Sequence, residues 1–234
     1  MTPIDADEAT GLLPIFPLAV VLVPGELLPL HIFEERYKAL MRASLEASRH
    51  FGLSYVDRAE VGIDTAPAIG SIGCEAQISA VVPVGEGRMN LLSVGTGRYV
   101  ILGYEQTEPF LLARVERFHD AASESPDLPK LAERVRGLFA RLATAARALS
   151  NEAGEIEPPD LDAGPEMVSF LVAANLAIEN DAKQEMLEMT DTLHRLDLLD
   201  ERLHRMVETF EYRAQMAGRS KTNGHGKKLP ELEP

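Results

Sequence analysis

The pattern of apolar and polar positions over residues 11–118 is mainly that of short β-strands. Residues 75–82 alternate between apolar and polar positions, and residues 111–118 alternate again. Pro24-Gly25, a pair typical of turns, follows the β-branched run at 19–23. The remaining segments with extended character lie at 27–32, 53–56, 88–94 and 99–104. Several short strands at this spacing favour a small barrel or sandwich.

One helix is predicted to interrupt these strands. Its apolar positions recur at helical spacing, with charged residues between them, and Gly52 is expected to end it. The positions of this stripe are Phe33, Tyr37, Leu40, Met41 and Leu45. A second local signal, Gly85-Glu86-Gly87, predicts a hairpin turn between two of the strands.

The pattern becomes helical after residue 118. An acidic, Pro-containing linker is expected at 119–129 and a second such connection at 151–165. Helices are predicted at 131–149, 166–178, 180–189, and from Thr190 or Asp191 to Gly218. Residues 217–234 are small and polar, so we expect a disordered tail. The pattern therefore predicts a strand-rich part at 1–118 and a helical part at 119–216.

Composition and charge narrow the function classes. The chain has 234 residues, a formal net charge of −14 and one cysteine, Cys74. Such a charge argues against general nucleic-acid binding, which needs a basic face, and against binding to an anionic membrane. The apolar stretch at 11–33 follows acidic residues and is broken by four prolines, so neither a signal peptide nor a membrane-spanning helix is expected. We expect a cytoplasmic protein.

Motifs for catalysis and cofactor binding are not found in the sequence. There is no phosphate-binding P-loop string, no H-E-x-x-H metal motif and no G-x-S-x-G nucleophile motif. Cys74 begins an apolar strand, where a free cysteine usually behaves as a small hydrophobic residue. We therefore expect no catalytic residues, no cofactor and no metal site, and a non-enzymatic protein.

Several strings in order resemble one known family. They are LPIFPL at 13–18, VLVPG at 21–25, LPLHIFE at 28–34 with Arg36-Tyr37, IGC at 72–74, Gly87-Arg88, Gly95 with Arg98-Tyr99, and Lys183-Gln184 followed by Leu187-Glu188 and Arg195-Leu196. Together they resemble the N-terminal, substrate-binding domain of Lon proteases in a stand-alone form, over residues 11–213. Glu35, where relatives often have proline, and Glu86, in place of aspartate, are modest departures.

The resemblance implies an α+β fold, with a PUA-like β-barrel followed by a C-terminal helical bundle. It also implies a module that binds polypeptide clients or protein partners in protein quality control. The ATPase and peptidase modules of full Lon proteases are not expected here, so proteolysis is not implied. Arg36 and Arg98 are interpreted as structural residues that pair with acids such as Glu34.

Two other functions stay open at this stage. The same barrel occurs in cereblon, which leaves a small-molecule or degron-binding module as an alternative. RNA binding through a PUA-like fold is a further alternative, against which the charge of −14 argues. The sequence does not determine the oligomeric state.

A candidate binding surface lies around the Pro24-Gly25 turn. The chain there is more apolar than one buried strand face requires, since Val20 to Val23 are consecutive. One interpretation is that both faces are covered, by the barrel core and by helices. The other is that Val23, Pro24, Gly25 and Leu27 line an open groove for non-native polypeptide.

Overall fold

Strands fill the first half of the chain and helices the second. The computed structural model describes residues 9–57, 66–123, 125–149 and 161–223. The strands are β1 (Thr10–Leu18), β2 (Leu27–Ile32), β3 (His50–Tyr55), β4 (Ile72–Gly85), β5 (Arg88–Gln106) and β6 (Leu111–Phe118). The helices are α1 (Glu35–Glu46), α2 (Leu128–Leu149), α3 (Pro165–Ala174), α4 (Asn180–Glu188) and α5 (Thr192–Asn223). The predicted α+β class is confirmed.

The strands form one mixed sheet in the order β2-β5-β4-β3-β1-β6. β1 and β3 are parallel, and the other neighbouring pairs are antiparallel. β5 has 19 residues, so its first half pairs with β2 while its second half pairs with β6. The pairings from β5 through β4, β3, β1 and β6 therefore lead back to β5.

Three apolar clusters stabilise this arrangement. One lies between β1, β5 and β6 and contains Ile15 and Tyr99. A larger one joins the sheet and α1, and it receives Phe170 from α3 and Leu187 from α4. The third joins α2, α3 and α5 with the end of α4. Because helical side chains enter the cluster of the sheet, strands and helices pack against each other directly.

The segment at 19–23, predicted to be a strand, is irregular, and the first strand lies earlier, at β1. Val21, Leu22 and Val23 are nevertheless fully buried. They pack in the cluster that Phe170 and Leu187 complete. A continuous apolar run is typical of a segment covered on both sides, and here the cover comes from the sheet and from helices.

Three boundaries differ from the predictions around α1 and β5. Phe33 precedes α1 and is exposed, so it is not part of the buried stripe of this helix. Gly52 does not end the helix but lies inside β3. The strands predicted at 88–94 and 99–104 form the single strand β5, because the sheet continues through Gly95, with an irregular register at this point.

The helical boundaries agree more closely. Asp191 accepts hydrogen bonds from the backbone N–H groups of Leu193 and His194, so the predicted cap of α5 is confirmed. α5 continues through Asn223, past Gly218, where it was expected to end. Asn180 is the first residue of α4 rather than its cap. Residues 217–223 of the tail predicted at 217–234 continue helix α5, so they are not disordered, in contrast to the expectation. The rest of that tail, and most of the connection at 151–165, lie outside the described residues.

Candidate functional site

Three strands form a continuous surface on the side of the sheet away from its core. Directly opposite residues of antiparallel strands project from the same face, so the strand register places their side chains. Three rows result: Leu27–Val94–Gln77, Pro29–Leu92–Ala80 and His31–Asn90–Val82. All nine residues are exposed or, for Val94, half-buried. We refer to these nine residues as the outer face.

The outer face is mostly apolar. Six of its nine residues are Leu, Val, Pro or Ala, and Leu27 is 62% exposed. Phe33 extends it at one end, because its exposed ring stacks on His31 with 5.9 Å between ring centroids. His31 Nδ1 is 2.6 Å from Asn90 Oδ1, so the polar corner is internally hydrogen-bonded. Adjacent exposed apolar residues of this kind make the outer face a candidate interaction surface.

The structure separates the four residues predicted to bind polypeptide. Val23 is 0% exposed, and Pro24 is also buried. Gly25 is half-buried, and Leu27 alone is exposed, as part of the outer face. The binding role stays a prediction, and in this structure its accessible part is Leu27.

The turn at Gly25 is closed because it supports the junction between the sheet and α3. Gly25 has φ +82°, and a Cβ there would lie 2.5 Å from a methyl carbon of Leu171. The N–H of Gly25 donates to the carbonyl of Gly95 at 2.8 Å. Glu26 follows, and Lys183 of α4 donates to its carboxylate at 2.6 Å. These contacts pack the turn against α3, β5 and α4.

A buried cluster of charges joins the sheet to the helices. The side chain of Asp120 is 3% exposed. It accepts hydrogen bonds from Arg98 of β5 and from Arg195 and Thr192 of α5. Arg98 also donates to the carbonyl of Leu187 at 3.0 Å. The interpretation of Arg98 as a structural residue is therefore confirmed. Asp120 belongs to the segment predicted to be a linker, and these bonds hold that segment in place.

An aromatic ring and further acceptors complete this cluster. The guanidinium groups of Arg98 and Arg195 lie 5.1 and 4.0 Å from the ring centroid of Phe170. Arg195 Nε donates to Ser169 Oγ at 2.7 Å, and Arg98 donates to Glu166 at 3.3 Å. Two arginines therefore face two carboxylates, and the terminal nitrogens of both arginines and Nε of Arg195 have acceptors, as buried charges require.

The environment shifts the ionisation of this cluster. Burial raises the pKa of the Asp120 carboxyl, but hydrogen bonds from Arg195 and Thr192 outweigh burial, so the pKa is lowered overall. Burial lowers the pKa of the Arg195 guanidinium, with Asp120 opposing the change. Asp120 is thus stabilised as a carboxylate. The hydrogen bonds of the cluster join β5 and Asp120 to α3 and α5, so its role in this fold is structural.

Candidate nucleophiles and metal ligands are not brought together in the described part of the chain. Cys74 is fully buried, and burial raises the pKa of its thiol above the usual range. No group of three or more His, Cys, Asp or Glu residues suited to hold a metal ion occurs among the described residues. In the same residues, no helix has both the length and the apolarity that a membrane span requires.

Sequence reasoning did not identify most of the outer face. It found Leu27 but missed Leu92, Val82 and Pro29. The sequence of β2 gave little indication. Both the odd-numbered and the even-numbered positions of this strand carry apolar residues, so their pattern does not show which face of the strand is buried. Only the pairing of β2 with β5 separates Leu27 and Pro29 from the buried Ile32.

Comparisons with known proteins agree with this architecture. Residues 12–205 match the family model described as the ATP-dependent protease La (LON) substrate-binding domain. A Lon protease of Anaeromyxobacter dehalogenans is 28% identical over 217 residues, and Lon protease 2 of Myxococcus xanthus is also 28% identical. Each match covers 89% of this chain and 25% of the relative, so the chain spans about a quarter of the length of these relatives.

Two solved structures are similar in fold. The Lon N-terminal domain protein from Xanthomonas campestris has a TM-score of 0.58 at 23% identity, covering 81% of this chain and 96% of that one. The N-terminal domain of Mycobacterium avium complex Lon protease has a TM-score of 0.61 at 18% identity, covering 83% of this chain and 98% of that one. At these identities the likeness shows the fold alone.

Proposed function

Because this chain belongs to the family of Lon substrate-binding domains, we propose that it recognises non-native polypeptides through the outer face. We further propose that it serves protein quality control and catalyses no reaction itself. The PUA-like barrel expected from the resemblance is part of the same proposal, supported by the return of the strand pairings from β6 to β5.

The observation that carries this proposal is the exposed apolar character of the outer face. Non-native polypeptides differ from folded ones in presenting apolar side chains to solvent, and burying such side chains is favourable without a particular sequence. Leu27, Leu92 and Val82 offer apolar surface on three adjacent strands. A client segment laid across these strands would contact all three.

The edge of β2 supports recognition through side chains rather than through strand addition. β2 ends the sheet order and pairs only with β5 among the described strands. The N–H of Gly95 donates to the carbonyl of Glu26, so the backbone groups of Glu26 face β5. In an antiparallel pair, the N–H and C=O groups of every second residue face the same neighbouring strand, so those of every second residue after Glu26 also face β5. Leu27, Pro29 and His31 therefore direct theirs toward the free edge.

Pro29 lies at the middle of that free edge. Proline has no N–H to donate, and its ring occupies the space that an approaching carbonyl would need. A client strand added to β2 would meet this interruption after one residue pair, which is a common way of protecting sheet edges. The outer face, in contrast, is open along all three strands.

Binding to a permanently unfolded client tests the proposal. The double variant Leu27→Ser and Leu92→Ser removes two exposed leucines from the outer face. Burying the exposed part of each is worth about 1 kcal/mol, so we expect affinity to fall about tenfold or more. Fluorescence anisotropy of the labelled client gives the affinity, and far-UV circular dichroism gives the melting temperature.

The matched control is the double variant Leu12→Ser and Leu102→Ser. These leucines are 56% and 42% exposed, against 62% and 39% for Leu27 and Leu92, and they lie outside the outer face. The control is expected to bind like the unchanged protein. Equal losses in both variants, or unchanged binding in a folded outer-face variant, would contradict the proposal.

A further inference from the structure

A second candidate site lies near the start of α1. A cavity of about 490 Å³ opens between the end of β1, the first turn of α1 and the segment that leads into β6. Its volume is within the range of pockets that bind ligands. None of its lining residues belongs to the outer face.

The cavity has an apolar interior. Ile15 and Pro17 of β1, Tyr37 of α1, and Phe110 and Leu111 contribute to its lining. Ile15 is fully buried and Tyr37 nearly so, and Tyr37 packs on Phe16 with 4.2 Å between ring centroids. Ile15 and Tyr37 belong to the cores of the sheet, while Pro17, Phe110 and Leu111 are half-buried. An apolar group entering the cavity would be removed from water against these side chains.

Two charged residues at the cavity differ in their surroundings. Arg36 Nε donates to Glu34 at 3.0 Å, and its guanidinium lies 4.4 Å from the ring centroid of Tyr37, so its charge is already compensated. Glu108 is exposed, and no described side chain pairs with its carboxylate. Among the described lining residues, the charge without a paired side chain is therefore negative, which favours a cationic group on the ligand.

We propose that this cavity holds one bulky apolar side chain of a bound polypeptide and that Glu108 selects a basic residue next to it. The inference rests on the proposed function and deepens it by naming a feature of the client. Glu108 is a specificity-determining residue in this proposal, and the apolar walls supply the affinity. Acidic flanking residues are disfavoured by Glu108 and by the net charge of −14.

The cavity and the outer face can serve one client. Phe33 stacks on His31 at the end of the outer face, and Arg36 at the cavity follows Phe33 by three residues. Consecutive Cα atoms are about 3.8 Å apart, so these positions lie within about 11 Å. A short extended client segment can span that distance.

Short peptides distinguish binding in the cavity from binding to the outer face. The probe is the acetylated and amidated peptide Ala-Ala-Phe-Lys-Ala, compared with versions in which Phe is replaced by Ala or Lys by Glu. Chemical-shift titration gives affinities and reports on Tyr37 and Phe110. We expect no saturable binding without Phe, and about two- to fivefold weaker binding with Glu, the size of one exposed charge pair.

Two variants with a matched control test the residues. Glu108→Gln is expected to remove the difference between the Lys and Glu peptides. Thr107→Trp, which places bulk in the cavity lining, is expected to weaken the Phe-Lys peptide about tenfold. Thr144→Trp, on the exposed side of α2, is expected to change nothing. Leu27→Ser with Leu92→Ser should leave the short peptide unaffected while weakening the unfolded client.

The outcomes distinguish this inference from the proposed function. If the unfolded client binds but the Phe-Lys peptide does not saturate, or does not shift Tyr37 and Phe110, the cavity proposal is overturned and the outer-face function stands. A Lys preference that survives Glu108→Gln overturns the role of Glu108. If neither the client nor the peptide binds, the proposed function itself fails.

Discussion

Replacing Asp120 by asparagine tests the buried charge cluster most directly. Asp120 is the carboxylate that both Arg98 and Arg195 contact, and these arginines come from the sheet and from α5. Asparagine preserves the size of the side chain but removes its charge. Two guanidinium groups, each at most 2% exposed, would then face only Glu166.

The expected cost is large because one partner of a buried ion pair is lost. Removing one partner typically costs about 3–5 kcal/mol, since the remaining charge stays buried without compensation. Glu166 is partly exposed and 3.3 Å from Arg98, so it compensates one arginine incompletely. We therefore expect Asp120→Asn to lower the free energy of unfolding by at least about 3 kcal/mol at pH 7.

The difference between the two proteins should depend on pH in a defined direction. The pKa of Asp120 is lowered in the folded state, while an unfolded aspartate has a pKa of about 3.9. The carboxylate therefore contributes its full stabilisation above about pH 4, and the contribution is lost as pH falls through the folded-state pKa. The difference should be constant from pH 7 to pH 5 and shrink in stronger acid.

Urea unfolding measures this difference. The chain has no tryptophan, so far-UV circular dichroism and tyrosine fluorescence are the two probes, and coincident transitions support a two-state treatment. Asp127→Asn is the control, because Asp127 pairs with Lys130 at 3.2 Å on the exposed surface and should show no measurable cost. A cost for Asp120→Asn below about 1 kcal/mol at pH 7 would show that Asp120 is not needed to compensate the two buried arginines.

Four further predictions concern glycine packing, the burial of Cys74, the edge of β2 and the absence of catalysis. A Cβ at Gly73 would lie 2.5 Å from the carbonyl oxygen of Leu53, so Gly73→Ala should lower the free energy of unfolding by about 1–3 kcal/mol. Gly137 lies in an open helical position, so Gly137→Ala should raise the free energy of unfolding by up to about 1 kcal/mol. Urea unfolding of both variants measures the two changes. Burial raises the pKa of the Cys74 thiol, so a thiol reagent at pH 8 should modify it only as fast as the protein unfolds, and rapid modification would contradict its burial. Because Pro29 interrupts the edge of β2, a client peptide with alternate N-methylated backbone amides should bind within about twofold of the unmethylated peptide, and a large loss would indicate strand addition. Purified protein with ATP should not degrade casein, and degradation that one substitution in this chain abolishes would contradict the non-enzymatic proposal.

The strings that carried the family resemblance have structural reasons in the fold. Arg98 and Arg195 form the buried cluster, and Lys183 pairs with Glu26 beside the Gly25 turn. Gln184 donates to the carbonyl of Ile72 at 3.0 Å. Each of these residues joins the helices to the sheet. The sequence could indicate that they matter, but partners that lie between 22 and 157 positions away along the chain do not follow from local patterns.

Local patterns in the sequence were sufficient to predict the order of elements and the class of the fold. Local periodicity is a property of neighbouring residues, so it indicated strands before residue 118, helices after it, the hairpin at Gly85-Glu86-Gly87 and the cap at Asp191. Periodicity gives no reliable prediction where apolar residues follow one another without alternating with polar ones. Residues 19–23 were predicted as a strand because β-branched residues favour strands, yet burial from both sides holds them in irregular structure.

Which apolar residues face solvent depends on long-range packing and could not be predicted from local patterns. Val23 and Leu27 are four residues apart and equally apolar in sequence, yet one is buried under helices and the other is exposed. Burial depends on what packs against each side of a strand, and here the covering helices come from residues far along the chain, at 165–188. The same long-range packing leaves Leu27, Leu92 and Val82 uncovered on adjacent strands, which is why the outer face appears only when the sheet is assembled.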